Sequence, residues 1–252
     1  MLTMQTFGDD TSRPPILIVH GLFGSGRNWN VIAKRLSDDR CVVSVDMRNH
    51  GDSPWFDTQS YHDMAEDLAQ VIRHLGGQAD VIGHSMGGKA SMILALQDDS
   101  LVNKLLVADI APIAYQHSQK SMIEAMRRID LDLVDTRSDA DRQLAQVLDD
   151  ASVRAFLLQS LNVKERKWRL NLDVLETEMA KIVGFPEVSG SFAGPALFLA
   201  GATSDYVLPE HRPTIKALFP AAKQAKIPGA GHWLHAEKPR EFEAASRSFL
   251  NH

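Results

Sequence analysis

Gly83-His84-Ser85-Met86-Gly87 holds a serine between two glycines, one placed two positions to either side. A serine hydroxyl is a weak nucleophile until a base takes its proton, and it must be projected from a sharp backbone bend to meet both base and substrate. Such a bend is crowded, so the flanking positions must be nearly free of side chain, as glycine is. The run directly follows the apolar stretch Ala79-Asp80-Val81-Ile82 and directly precedes a helical pattern starting near Gly88-Lys89. Strand, tight turn and helix are the context in which such a serine sits above the amino end of a helix, where developing negative charge is favoured.

The base expected for Ser85 is His232, in Gly229-Ala230-Gly231-His232-Trp233, a glycine-rich loop between Ala225-Lys226-Ile227 and the last helix. A carboxylate must orient the imidazole. The chain order nucleophile, acid, histidine admits both Asp109, in Val107-Ala108-Asp109-Ile110-Ala111-Pro112, and Asp205, in Gly201-Ala202-Thr203-Ser204-Asp205. Acyl transfer also needs amide N–H groups aimed at the oxyanion. His20-Gly21-Leu22-Phe23-Gly24 offers one from Leu22, with Phe23 as the alternative, and Met86 offers the other.

Two rival chemistries fit less well. Gly21, Gly24 and Gly26 precede Asp46 by a distance that suits a dinucleotide site, but their order is G-x-x-G-x-G, so the phosphate turn is mis-spaced. His235 lies three residues after His232, yet no carboxylate or cysteine spacing completes a metal site. No cofactor and no metal are therefore expected.

The elements that must hold these residues alternate in type. Ile16-Leu17-Ile18-Val19, Cys41-Val42-Val43-Ser44-Val45, Ala79–Ile82, Leu105-Leu106-Val107-Ala108 and Ala196-Leu197-Phe198-Leu199-Ala200 are apolar on both faces, as buried parallel strands are. Helical spacing appears between them: apolar residues at 61, 64, 65, 68, 71, 72 and 75, then residues 89–97, and finally 239–250. The pattern predicts an α/β fold with a mostly parallel sheet flanked by helices. Residues 112–192 break the alternation, with helical patterns at 118–129, 139–148, 152–161 and 173–183. They are expected to form a helical cap inserted before the penultimate strand, leaving 1–111 and 193–252 as the core domain. Phe156, Leu157, Leu158 and Trp168 are its candidate pocket linings, and Lys164-Glu165-Arg166-Lys167 reads as a solvated turn. Asp46-Met47-Arg48-Asn49-His50-Gly51-Asp52-Ser53 reads as a polar turn that braces the loops around the site.

With 252 residues the chain suits one such domain plus an insertion. A net charge of −5 supplies no basic field for nucleic acid or an anionic membrane surface. No apolar stretch approaches the roughly 20 residues of a spanning helix. The amino end lacks the basic start and apolar run of a signal peptide. Cys41 is the sole cysteine, so no internal disulfide can form and a cytoplasmic location is expected.

These segments together resemble the α/β-hydrolase superfamily, and within it the bacterial YbfF-like esterases and their eukaryotic abhydrolase-domain relatives. The resemblance rests on the runs at His20, Asp46, Gly83, Asp109, Trp168-Arg169-Leu170-Asn171-Leu172 and Gly229 through Pro239, in that order. It implies a cofactor-free serine esterase with a compact helical cap, acting on small-molecule carboxylic esters. An insertion of this moderate size should close off a long groove, so acyl chains of short to medium length are expected. A lyase, thioesterase or C–C-bond hydrolase on the same Ser-His-Asp scaffold is the alternative. In similar proteins the loop matching 201–207 tends to carry serine where most α/β hydrolases carry aspartate, and Ser204 fits that pattern. The resemblance therefore favours Asp109 as the acid, with Asp205 as the alternative.

Overall fold

A computed structural model describes residues 1–9 and 11–251. Asp10 and His252 belong to the expected core segments and lie outside the described residues. Along the chain run β1 (Met4–Phe7), β2 (Ile16–Val19), α1 (Asn30–Leu36), β3 (Val42–Val45), α2 (Tyr61–His74), β4 (Ala79–His84), α3 (Met86–Gln97) and β5 (Val102–Ala108). Next come α4 (Lys120–Arg127), α5 (Arg137–Leu144), α6 (Ala151–Leu158), β6 (Leu161–Asn162), β7 (Lys167–Trp168), α7 (Leu172–Thr177) and α8 (Met179–Val183). The chain closes with β8 (Ala196–Gly201), α9 (Arg212–Leu218), β9 (Lys223–Ile227), α10 (Leu234–Glu237) and α11 (Pro239–Leu250).

Seven strands form one sheet in the order β1-β3-β2-β4-β5-β8-β9. All neighbours are parallel except β1, which runs antiparallel to β3 along the edge. The continuous apolar runs arise because alternate residues serve opposite faces. Leu17 and Val19 pack with α2 and α3, whereas Ile16 and Ile18 pack with Trp29, Ile32 and Phe242 on α1, α11 and the turn before α1. The strand order places β4 at the centre, between β2 and β5. Loops leaving the carboxyl ends of β2, β4 and β5 therefore meet, and ligands bind at such an edge in open α/β sheets.

Several elements depart from the sequence expectation. β1 is an edge strand whose middle residues, Gln5 and Thr6, are polar and exposed, so it lacks the apolar signature of the others. The short helices α1 and α9 were not expected either. α3 begins at Met86 rather than near Gly88, since the chain turns from strand to helix within the single residue Ser85. The segment between β5 and β8 is not helical throughout: β6 and β7 pair as an antiparallel hairpin around a turn at 163–166, and Lys167, expected in the charged turn, opens β7. The pattern over 173–183 divides into α7 and α8 at Glu178.

That segment is tied to the sheet edge through the polar turn after β3. Gly51 N–H donates to the Arg169 carbonyl (2.8 Å), and Asn171 N–H donates to that of Asn49 (3.0 Å). Inside the turn, Arg48 makes a two-point contact with Asp67 on α2, at 2.6 and 3.0 Å. Among the described residues no helix is long and apolar enough to cross a membrane.

Candidate active site

Ser85 occupies the one-residue link between β4 and α3, with φ 52° and ψ −118°. A non-glycine residue held in such a region costs on the order of 1–3 kcal/mol and persists only where its surroundings enforce it. Here Ser85 N–H donates to the Ala108 carbonyl (3.1 Å) and the Ser85 carbonyl accepts from Lys89 N–H (3.0 Å). Gly87 permits the close approach of this turn to β2: a Cβ there would lie 2.5 Å from the Val19 carbonyl oxygen and would also run into that of His20. Phe23, Asn49 and Asp109 likewise have positive φ. Each follows the carboxyl end of β2, β3 or β5, so backbone strain is concentrated along one edge of the sheet.

Asp109 is fully buried just beyond β5. Its Oδ1 accepts from Gly201 N–H (2.9 Å), and its Oδ2 accepts from the Ser204 hydroxyl (2.5 Å) and from His232 Nδ1 (2.8 Å). The last bond assigns the Nδ1–H tautomer to His232 and leaves Nε2 as the nitrogen with a lone pair to offer. Asp205, by contrast, is exposed on the loop after β8. Of the two carboxylates the sequence offers, Asp109 is the one in contact with the histidine.

Other groups fix His232 in place. The Tyr206 ring stacks on it at 3.9 Å between centroids, 19° from parallel. Its carbonyl accepts from His84 Nε2–H (2.9 Å), and Glu237 on α10 accepts from the Gly231 and Trp233 amides on either side. His84 is buried and kept neutral, since burial pushes its pKa well below the usual histidine range. Tyr206 and Glu237 lie within stretches that the sequence singles out, 201–207 and 229–239, but no spacing marks either side chain as a partner of His232. His235 stacks on Trp29 at 3.9 Å, and both rings line the cavity that holds Ser85.

The loop after β2 distinguishes the two amides offered by the sequence. Phe23 N–H donates to His50 Nε2 (3.2 Å), and the opposite nitrogen of that ring donates to the Arg48 carbonyl (2.8 Å). The Phe23 amide is therefore occupied. Neither the Leu22 nor the Met86 amide donates to a protein acceptor among the described residues. His20 braces the same loop, donating from Nδ1 to the Gly21 carbonyl (2.7 Å) and accepting at Nε2 from Met47 N–H (2.9 Å).

Burial lowers the pKa of His20 to about 4 and those of His50 and His235 to about 3. Unfolded, each would titrate near 6.5, so the unfolded chain binds more protons once the pH drops below that value. The stability contributed by these neutral rings is complete above pH 6.5 and is lost as pH falls toward 4 and 3. Each ring is expected to remove roughly 1.4 kcal/mol per pH unit within that window. Urea unfolding at about pH 7.5 and about pH 5 tests this, and equal unfolding free energies at both would contradict the neutral-histidine frame.

Ser85, Leu22, Met86 and His232 line one cavity of about 300 Å³. Phe156 and Leu157 line it too. Leu158 and Trp168 do not; both are buried elsewhere, the Trp168 indole N–H donating to the Met126 carbonyl (3.2 Å). Buried Tyr61 and Lys89 also line it; the sequence marks them only as helix positions. Lys89 sits one helical turn after Ser85, a spacing that could have flagged it.

A family model described as alpha/beta hydrolase fold matches residues 14–239. The chain belongs to the α/β-hydrolase family. The hydrolase is 42% identical over 260 residues to the sn-1-specific diacylglycerol lipase ABHD11 of Mus musculus, covering 99% of this chain and 85% of that protein. It is 39% identical over 249 residues to Esterase YbfF of Escherichia coli (strain K12), covering 98% and 97%. A solved structure titled Marine microorganism esterase superposes with a TM-score of 0.93 at 40% identity, covering 98% of each chain. These similarities identify the hydrolase as one of the esterase and lipase type, in line with the resemblance read from its motifs.

Proposed function

We propose that the hydrolase is a carboxylic-ester hydrolase that works through an acyl-enzyme on Ser85. The observation that carries this reading is the convergence, in one cavity, of a strained serine, a carboxylate-bound histidine and two unengaged amides. Ser85 Oγ attacks the ester carbonyl while His232 Nε2 takes its proton. The Leu22 and Met86 amides hold the oxyanion, whose charge strengthens their hydrogen bonds in the transition state. His232 then returns the proton to the leaving alcohol, and water repeats the sequence to release the acid. Asp109 holds the tautomer and stabilises the imidazolium, and the Ser204 hydroxyl and Gly201 amide hold Asp109. Residues 112–192 act as a cap that supplies Phe156, Leu157 and Met122 to the cavity wall.

The substrates are short- to medium-chain esters. A cavity of about 300 Å³ stands at the lower end of small-molecule pockets, and buried Tyr61 and Lys89 form part of its wall. A panel of p-nitrophenyl esters from acetate to palmitate, with an acyl-CoA thioester beside it, tests both statements. The expected result is higher kcat/KM for butyrate than for palmitate. Faster palmitate turnover would refute the size limit, and trace turnover of every oxygen ester would refute the esterase reading in favour of a thioesterase, lyase or C–C-bond hydrolase.

A further inference from the structure

The three buried lysine and arginine side chains among the described residues are not treated alike. Arg40 faces Asp80 at 2.6 Å and Arg48 faces Asp67 at 2.6 Å, each within an enclosed ion pair. Lys89 is only 1% exposed, yet no carboxylate among the described residues pairs with it. Lysine is almost never so buried without a counter-charge, because removing an ammonium from water is costly. Its ammonium donates to the Val183 carbonyl (2.9 Å) and the Gly184 carbonyl (2.6 Å), and it faces the Tyr115 ring at 4.7 Å and the Tyr61 ring at 5.7 Å. Carbonyls and ring faces attract a cation without neutralising it. One of the three ammonium N–H bonds remains without an acceptor among the described residues.

The position of this charge relates it to the reaction. Lys89 lines the same cavity as Ser85 and follows it by four residues, which is about 6 Å along a helix. A ligand bonded to Ser85 at one end lies in a cavity that Lys89 also lines, where a carboxylate at its other end can meet the ammonium.

We infer that Lys89 makes its part of the cavity wall a subsite for a carboxylate, so that the hydrolase takes monoesters of short dicarboxylic acids. The inference rests on the esterase reading for the bond that is broken, and on Lys89 alone for the group that is recognised. Burial without a counter-charge lowers the Lys89 pKa to about 7. A bound carboxylate would supply the missing charge and accept the remaining N–H in a charge-assisted hydrogen bond.

Binding in the Ser85→Ala chain separates recognition from turnover. Titrations would compare monomethyl glutarate, its neutral amide methyl 5-amino-5-oxopentanoate, and methyl pentanoate, three esters of similar length. The monoanion is expected to bind about tenfold or more tightly than either neutral ester, as one charge-assisted contact allows. In a Ser85→Ala/Lys89→Met chain that ratio should fall to near one, and Lys89→Arg should retain part of it. Equal binding of the three esters to the Ser85→Ala chain would overturn the inference without any change at Lys89, so a poorly folding Lys89→Met does not shelter it. A preference that survives Lys89→Met would overturn it as well, leaving Lys89 as a tie between α3 and the end of α8. Wild-type turnover of p-nitrophenyl pentanoate is measured separately. Its absence would refute the esterase reading alone, while the binding ratios would still decide the subsite.

Discussion

Asparagine in place of Asp109 is expected to lower kcat by about 10⁴ while the chain stays folded. The substitution keeps the size of the side chain, but it can present an amide N–H to His232 Nδ1 where a carboxylate oxygen now accepts. The imidazole would then favour the tautomer with hydrogen on Nε2, the nitrogen that must take the serine proton. The imidazolium would also lose its buried counter-charge. Asp205→Asn should change kcat little, since Asp205 is exposed and the structure gives it no bond to His232. If the two variants exchanged outcomes, with circular dichroism unchanged in both, the assignment of the acid would be wrong. Asp109 is also held by Ser204 and Gly201, so some loss of stability is expected, and kcat should be compared at temperatures well below each unfolding midpoint.

Alanine in place of Ser85 is expected to reduce ester hydrolysis by at least about 10⁴. Only an oxygen is removed, and alanine meets the same backbone restriction at φ 52°, so urea stability should stay close to that of the parent chain. Loss of activity with stability retained would tie the effect to the nucleophile. A variant keeping a tenth of the parent rate would instead mean that the strained turn serves the fold and that chemistry occurs elsewhere.

Much of this arrangement was legible in the sequence where a signal is local. The interior parallel strands show themselves because both faces are covered, which makes Ile16 to Val19 and Ala196 to Ala200 continuously apolar. Edge strand β1 has no such constraint and reads as Met-Gln-Thr-Phe. The hairpin of β6 and β7 is two residues deep on each side, too short for a period of two to register. The Ser85 turn is visible because glycine is required on both flanks, and His232 because its loop is equally marked.

The choice of acid was open on chain order alone. Asp109 and Asp205 both follow strands, and what separates them is which one the loop after β9 folds onto. Lys89 was legible as a residue type but not as a buried one. Its burial depends on Val183, Gly184 and Tyr115, which lie far away in the chain and come to it only through the segment between β5 and β8. The tying of Phe23 N–H by His50 is equally non-local, and it is what distinguishes Leu22 from its neighbour.

Covalent labelling by a fluorophosphonate, located by peptide mass spectrometry, tests most directly whether Ser85 is the activated nucleophile. One adduct per chain is expected, on the Ser85 side chain. It should be absent from Ser85→Ala and form far more slowly in His232→Ala, which lacks the base. An adduct on a different residue, or a folded wild-type chain that stays unlabelled, would contradict the assignment of Ser85 and His232.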